Sequence, residues 1–183
     1  MKGPRRLALC IAAAVLTVPA ASWACGDKLS VIGGGVSFDR LARYHGNVVM
    51  LVEPNSPLRA ANEALKLRQA LEYAGNKVRT VDTRAELQSA LEQGAVDIVL
   101  VSWGESGGLE AQLAGRSESP TVLPVAYRTD QAQLDDAVRQ GTCFTRVEER
   151  GDKRLVRAVG RVMELRERKA PLDCRNPVVA KTT

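Results

Sequence analysis

The chain has 183 residues, 26 Lys and Arg against 21 Asp and Glu, a formal charge of +5 and 45% hydrophobic residues. That length suits one ordinary domain with enough chain to bury a real core. With aromatic residues at only 4%, the basic, aromatic-interleaved stripe of a nucleic-acid binder is missing, so no nucleic-acid partner is expected.

Lys2, Arg5 and Arg6 precede an uncharged run from Leu7 to Ala21, and Ser22-Trp23-Ala24 closes it before Cys25. This order of charge, apolar run and small-x-small ending predicts a secretory signal peptide over residues 1–24. The run is short for a bilayer span, which takes roughly 20 apolar residues, and Pro19 interrupts its end. A periplasmic or otherwise exported product is expected. The alternative is a lipoprotein anchored to the membrane through an acylated Cys25, although Ser22 and Trp23 stand where such sites usually carry Leu and a small residue. Cleavage would remove three basic and no acidic residues, lowering the formal charge from +5 to +2, so the basic character belongs mostly to the leader. It would also remove Cys10 and leave Cys25, Cys143 and Cys174, an odd set that suggests one disulfide and one further cysteine in an exported protein.

Residues 25–46 form an expected N-terminal extension. Lys28 to Ile32 and Val36 to Phe38 flank Gly33-Gly34-Gly35, which predicts a β-hairpin. A dinucleotide loop would need a further glycine where Phe38 stands. From 47 to 169 short apolar runs alternate with helical stretches, the pattern of a parallel sheet wrapped by helices. Val48 to Val52 is an unbroken apolar run, as in a strand covered on both faces. Ser56-Pro57 opens a helix continued by Leu58, Ala61 and Leu65 up to Ala74, where Gly75 stops it. Lys77 to Val81 is a less buried strand, and Thr83 caps a helix to Gln93 with Glu86 three residues on. Val96 to Val101 is the next buried strand, ended by Ser102-Trp103-Gly104, and a weak helix lies around Gly108 to Leu113. Val122 to Tyr127, Gln131 to Arg139 and Cys143 to Val147 continue the alternation as strand, helix and strand. Lys153 to Arg168 is the closing helix, with Leu155, Val159 and Val162 on its buried side, and residues 170–183 form a tail. Five strands with right-handed crossovers make a three-layer α/β/α sandwich.

The runs Val49-Met50-Leu51-Val52-Glu53-Pro54-Asn55 and Val96-Asp97-Ile98-Val99-Leu100-Val101-Ser102 resemble the first and third strands of a response-regulator receiver domain. That resemblance implies the flavodoxin-like, CheY-like fold with strand order 2-1-3-4-5. In such domains two acidic residues after the first strand hold Mg²⁺, an aspartate ends the third strand as phosphoacceptor, a hydroxyl residue ends the fourth and a lysine the fifth. The matching positions here are Glu53-Pro54, Ser102, Ala126 or Tyr127, and Arg146 to Glu148. One acidic residue is left and the phosphoacceptor is missing, so phosphorylation is not expected, and neither is any cofactor. Cys25-Gly26-Asp27-Lys28 and Gly33 to Gly35 ahead of such a domain are also similar to a group of exported bacterial proteins, a likeness that implies no activity.

In this architecture ligands bind outside the carboxyl ends of the strands. Glu53, Asn55, Ser102, Trp103, Glu105, Tyr127, Arg128 and Thr129 are the residues expected there, to take a small ligand or a loop of a partner protein. The competing expectation is that Trp103 and Tyr127 only plug a pocket without a metal. The receiver resemblance puts Cys143 and Cys174 near the same end of the sheet, which makes a bridge between them plausible; spacing alone leaves a bridge from Cys25 to either open. Cys25, Asp27 and His45, the single histidine, are weak candidates for a thiolate–imidazole metal site, against which stands a solvated loop histidine. The basic residues of the last helix alternate with acids, as on a solvated face. The expected function is a non-enzymatic binding or regulatory module of the bacterial envelope. Its alternatives are a periplasmic small-ligand-binding component of a transport system and a thiol or metal-handling protein using Cys25, which lacks a Cys-x-x-Cys partner.

Overall fold

Five short strands lie side by side in the order β2-β1-β3-β4-β5, every neighbouring pair parallel. They are β1 (Asn47–Leu51), β2 (Lys77–Val81), β3 (Ile98–Ser102), β4 (Thr121–Tyr127) and β5 (Thr145–Val147). The computed structural model describes residues 44–113, 119–148 and 152–172. The signal peptide expected over 1–24, the hairpin expected within 25–46, Cys25, Asp27 and Cys174 lie outside them.

The helices are α1 (Pro57–Leu65), α2 (Leu67–Tyr73), α3 (Arg84–Gln93), α4 (Leu109–Leu113), α5 (Gln131–Arg139) and α6 (Asp152–Glu167). They divide the core in two. Val48, Met50, Ile98 and Leu100 point to one face, where Leu58 and Ala61 of α1, Leu67 and Leu71 of α2, and Leu155, Val159 and Val162 of α6 cover them. Val49, Leu51, Val99 and Val101 point to the other, under Leu87 and Ala90 of α3 and Leu109 and Leu113 of α4. Alternate residues of one apolar strand thus feed two separate cores, which is why β1 and β3 carry no polar residue until their ends. The result is a three-layer α/β/α sandwich with flavodoxin-like strand order.

The local signals act through capping. Ser56 Oγ accepts from Arg59 N at 3.1 Å with Pro57 at the first helical position, and Thr83 Oγ1 accepts from Glu86 N at 3.1 Å. Glu86 completes a reciprocal cap by accepting from Asp82 N at 2.7 Å, one residue before the usual position. Asp130 Oδ1 caps α5 by accepting from Ala132 N at 3.2 Å.

Three expected boundaries change. The single helix expected from Pro57 to Ala74 is broken at Lys66, which is left-handed at φ 54° and ψ 41°. The break changes the apolar phase. Leu58 and Ala61 face the sheet at β3 and β4, whereas Leu67 and Leu71 turn toward β2 and α6, a pair of directions that one straight helix could not satisfy. Asn62 Oδ1 takes the Arg68 amide freed by the break, at 2.9 Å. β3 starts at Ile98 rather than Val96, although Asp97 just ahead of it still donates its N–H to Asn47 O and accepts from Thr121 N, both at 2.9 Å, while its carboxylate accepts from Asn47 N at 2.8 Å. The last strand pairs only over Thr145–Val147, and Cys143 lies just ahead of it.

Candidate functional site

The carboxyl ends of β1 and β3 bring two glutamates into one electrostatic cluster. Glu53 follows β1 in the connection to α1. Glu105 ends a single 3-10 turn, Trp103–Glu105, that follows β3 directly. Arg84, the first residue of α3, stands between them. Its Nε lies 3.5 Å from Glu53 Oε1, and its Nη2 donates to the backbone carbonyl of Glu105 at 2.9 Å.

The balance of charge in this cluster is uneven. Glu105 Oε2 is buried and finds no hydrogen-bond partner among the described residues. Burial pushes the Glu105 carboxyl above the ordinary glutamate range, the Glu53 charge adds to that push, and Arg84 opposes both. The guanidinium thus faces the Glu53 carboxylate but meets Glu105 through its backbone carbonyl, and the Glu105 carboxyl holds its proton more tightly than a free glutamate does.

A second guanidinium fixes the backbone beneath the cluster. Arg59 of α1 donates to Val52 O at 2.5 Å and to Glu53 O at 3.2 Å, and pairs with Asp82 Oδ1 at 2.6 Å. It holds the end of β1 to the end of β2. Asn55 is exposed in the same connection with φ 65°, a left-handed value that asparagine tolerates better than most residues.

The remaining expected crevice residues divide between different environments. Ser102 is buried at 1% exposure, so the end of β3 is covered where the receiver resemblance would need an open phosphoacceptor. Trp103 is partly exposed and meets Phe144 edge to face, with ring centroids 5.1 Å apart and an interplanar angle of 65°. Tyr127 belongs to the α1/α6 core, and the exposed Arg128, with φ 53°, lays its guanidinium 5.2 Å from the Tyr127 ring centroid. Thr129 is partly exposed at the start of the connection to α5.

Glu53 is the one acidic residue at the positions matching the receiver's acidic doublet, and the expected crevice residue Glu105 supplies a second acid beside it. It comes from the turn after β3 instead of the loop after β1, so no acidic doublet in the sequence announced it. Arg84, by contrast, escaped the sequence reading. A hint lay in its place just after the Thr83 cap, at the mouth of a strand-to-helix connection.

Elsewhere, His45 is exposed, with its ring 3.7 Å from the position a Cβ on Gly75 would take. Among the described residues no three His, Cys, Asp or Glu side chains converge as a metal-ligand group. On α6, Arg161 and Arg168 pair with Glu164 at 2.6 and 2.8 Å, and Arg154 approaches Glu148 at 3.8 Å, so much of the basic face is internally matched. No described helix is long and apolar enough to cross a membrane. A cleft of about 380 Å³ opens at the other end of the sheet, between the start of β1 and β2 and the end of α3, lined by Asn47, Lys77, Arg79, Gln93 and Val96. It holds no acidic side chain and is remote from the glutamate pair.

The fold and this cluster define an α/β sandwich with a group of charged side chains at its strand carboxyl ends. Compared with protein-family models, curated proteins and solved structures, the chain matches none.

Proposed function

We propose that this chain is a non-enzymatic binding or regulatory module of the bacterial cell envelope, built on a receiver-like domain that does not take part in phosphotransfer. The strand order supports the kinship in architecture. One observation carries the loss of phosphotransfer: the position matching the phosphoacceptor is Ser102, buried at 1% exposure. Arg84 supports the same reading from the side. Its cation already neutralises Glu53, and a cation in that place competes with any divalent ion for the carboxylates.

What the crevice offers instead is a set of exposed or partly exposed polar and aromatic groups on loops: Asn55, Trp103, Glu105 and Arg128. Loops set on a rigid sheet are where such folds recognise partners. Export follows from the leader pattern of residues 1–24, and it agrees with a domain removed from cytoplasmic kinases. In an oxidising envelope we assign Cys143 and Cys174 to one disulfide. Leu172, two residues before Cys174, packs on the α1/α6 core and supports this assignment.

Two measurements test the proposal. Incubation with acetyl phosphate and Mg²⁺ should add no phosphoryl mass to the protein, and a phosphorylated product would overturn it. A photo-crosslinking residue placed at Asn55 or Arg128 in envelope-localised protein should capture one protein stoichiometrically, while the same group at the exposed Tyr73 should not. Equal capture at all three positions, or none at the crevice, would remove the crevice from the function.

A further inference from the structure

The turn that carries Glu105 is poorly fastened. Its backbone bond, Ser106 N to Trp103 O, is 3.5 Å long, and Ser106 Oγ makes the better contact to the same carbonyl at 2.9 Å. Gly104, Gly107 and Gly108 surround it, each with open space where a Cβ would stand, and Gly108 sits at φ 78°. No packing requires those three glycines, and what they supply is backbone freedom. Arg84 ties the turn to α3 by one hydrogen bond to Glu105 O. Trp103, at the start of the turn, ties it to the sheet through Phe144.

The buried Glu105 oxygen sets a condition on this arrangement. A protonated carboxyl tolerates a site with no partner far better than a carboxylate does, because the charge, once formed, must find water or a cation. The cation at hand is shared. Of the elements around the turn, the β1–α1 connection faces it with Glu53, α3 faces it with Arg84, and β4 brings only the Tyr127 phenol, held in the opposite core. Arg59 and Asp82 lie behind Glu53 and are already paired with each other.

We propose that the Trp103–Gly108 segment is a pH-operated flap, closed while Glu105 holds its proton and opened when that proton passes to solvent. Ionised Glu105 moves outward to water, the turn follows through its glycines, and Trp103 leaves Phe144. The raised affinity of Glu105 for its proton supports this order of events, since burial and Glu53 both act in that direction. The flap stands independently of the binding reading, because it concerns only the motion of this turn.

The chain has two tryptophans, Trp23 and Trp103, so the full chain carrying Trp23→Phe reports on Trp103 alone. As pH rises its emission should move to the red in one transition, with a midpoint above the ordinary glutamate range. Glu105→Gln should keep the low-pH emission throughout, and Glu53→Gln should move the midpoint to lower pH. A transition that persists in Glu105→Gln, or a wild-type spectrum indifferent to pH, would overturn the flap. Should Glu105→Gln fail to fold, a carbon-13 NMR titration of the Glu105 carboxyl in the Trp23→Phe chain decides the matter. Indole and carboxyl signals that titrate with one midpoint support the flap, and separate midpoints reject it.

Discussion

Arg84 reaches Glu105 by its backbone carbonyl, at 2.9 Å, and not by its carboxylate, while its other side faces Glu53 at 3.5 Å. One arginine thereby holds the ends of β1 and β3 to the start of α3. Replacing it with Met keeps the length and apolar stem but leaves Glu53 without that cation and Glu105 O without its donor. Because the guanidinium is about half exposed, the expected loss is modest, about 1 kcal/mol at neutral pH. The loss should shrink in acid, where both glutamates are neutral. Chemical denaturation of Arg84→Met at two pH values measures this, and equal losses at both would show that charge is not the cause.

Much of the fold was legible because β1 and β3 are continuous apolar runs, Val48 to Val52 and Ile98 to Val101, that only a doubly covered sheet can bury. Caps at Ser56 and Thr83 marked helix starts for the same local reason that they form. The break at Lys66 was legible only in part. Leu58, Ala61 and Leu65 follow one helical stripe, and Leu67, Leu71 and Ala74 follow another displaced by one residue, a slip that a count of apolar residues per turn hides. The site was harder still. Glu53 and Asn55 could be placed from the end of β1, but the partnership of Glu53 with Glu105 and Arg84 joins residues 31 and more positions apart, and no local pattern encodes such a meeting. Tyr127 shows the converse. The sequence sets it at a strand end, and the alternation of side chains then turns it into the α1/α6 core.

Glu105 gives stability a defined dependence on pH. Burial and the Glu53 charge make the folded chain hold the Glu105 proton more tightly than the unfolded chain does. Between the two pKa values the folded state binds more protons, so the contribution of this group is full below the unfolded value and is lost as pH rises through the folded one. Glu105→Gln removes that dependence. It is expected to melt higher than wild type at pH 7 and close to it at pH 4. Thermal melts across that interval check the sign, and a variant less stable at pH 7 than at pH 4, relative to wild type, contradicts it.

Gly46 precedes β1 at a point where the chain passes close to α6. A Cβ there would lie 2.5 Å from Met163 Cε and 2.6 Å from Asp97 Oδ2. The methionine end can swing aside, but Asp97 is held by Asn47 N at 2.8 Å and by Arg166 at 3.9 Å. Gly46→Ala should therefore cost about 1–3 kcal/mol through overpacking. The test is the denaturation midpoint of Gly46→Ala beside Gly94→Ala, a position with open space where a Cβ would stand. Comparable midpoints for the two would show that the contact relaxes freely.

The proposed bridge predicts a redox dependence of stability. A bond between Cys143 and Cys174 closes a loop of about 30 residues, for which chain entropy gives about 3–4 kcal/mol. Reductant or Cys143→Ser should lower stability by a similar amount, and the two together should do no more than either alone. Peptide mapping without reductant identifies the pair directly. A fragment joining Cys25 to Cys143 or Cys174 would replace this pairing with another.

Ser102 allows the proposed absence of phosphotransfer to be examined by placing an aspartate at its position. At 1% exposure its side chain has no access to bulk water, and Ser102→Asp would place a carboxylate there, at the strand end that leads into the turn carrying Glu105 of the Glu53–Glu105 cluster. Arg84 is already engaged by that cluster, so the new charge has no cation of its own. The cost of an unpaired buried carboxylate is on the order of 3–5 kcal/mol, reduced to the extent that the group takes a proton instead. Destabilisation should consequently be greatest at neutral pH and smaller near pH 4, and acetyl phosphate with Mg²⁺ should still leave the variant unmodified. If Ser102→Asp were instead as stable as wild type and became phosphorylated, the closed end of β3 and the cation at Arg84 would not be what keeps this domain from phosphotransfer.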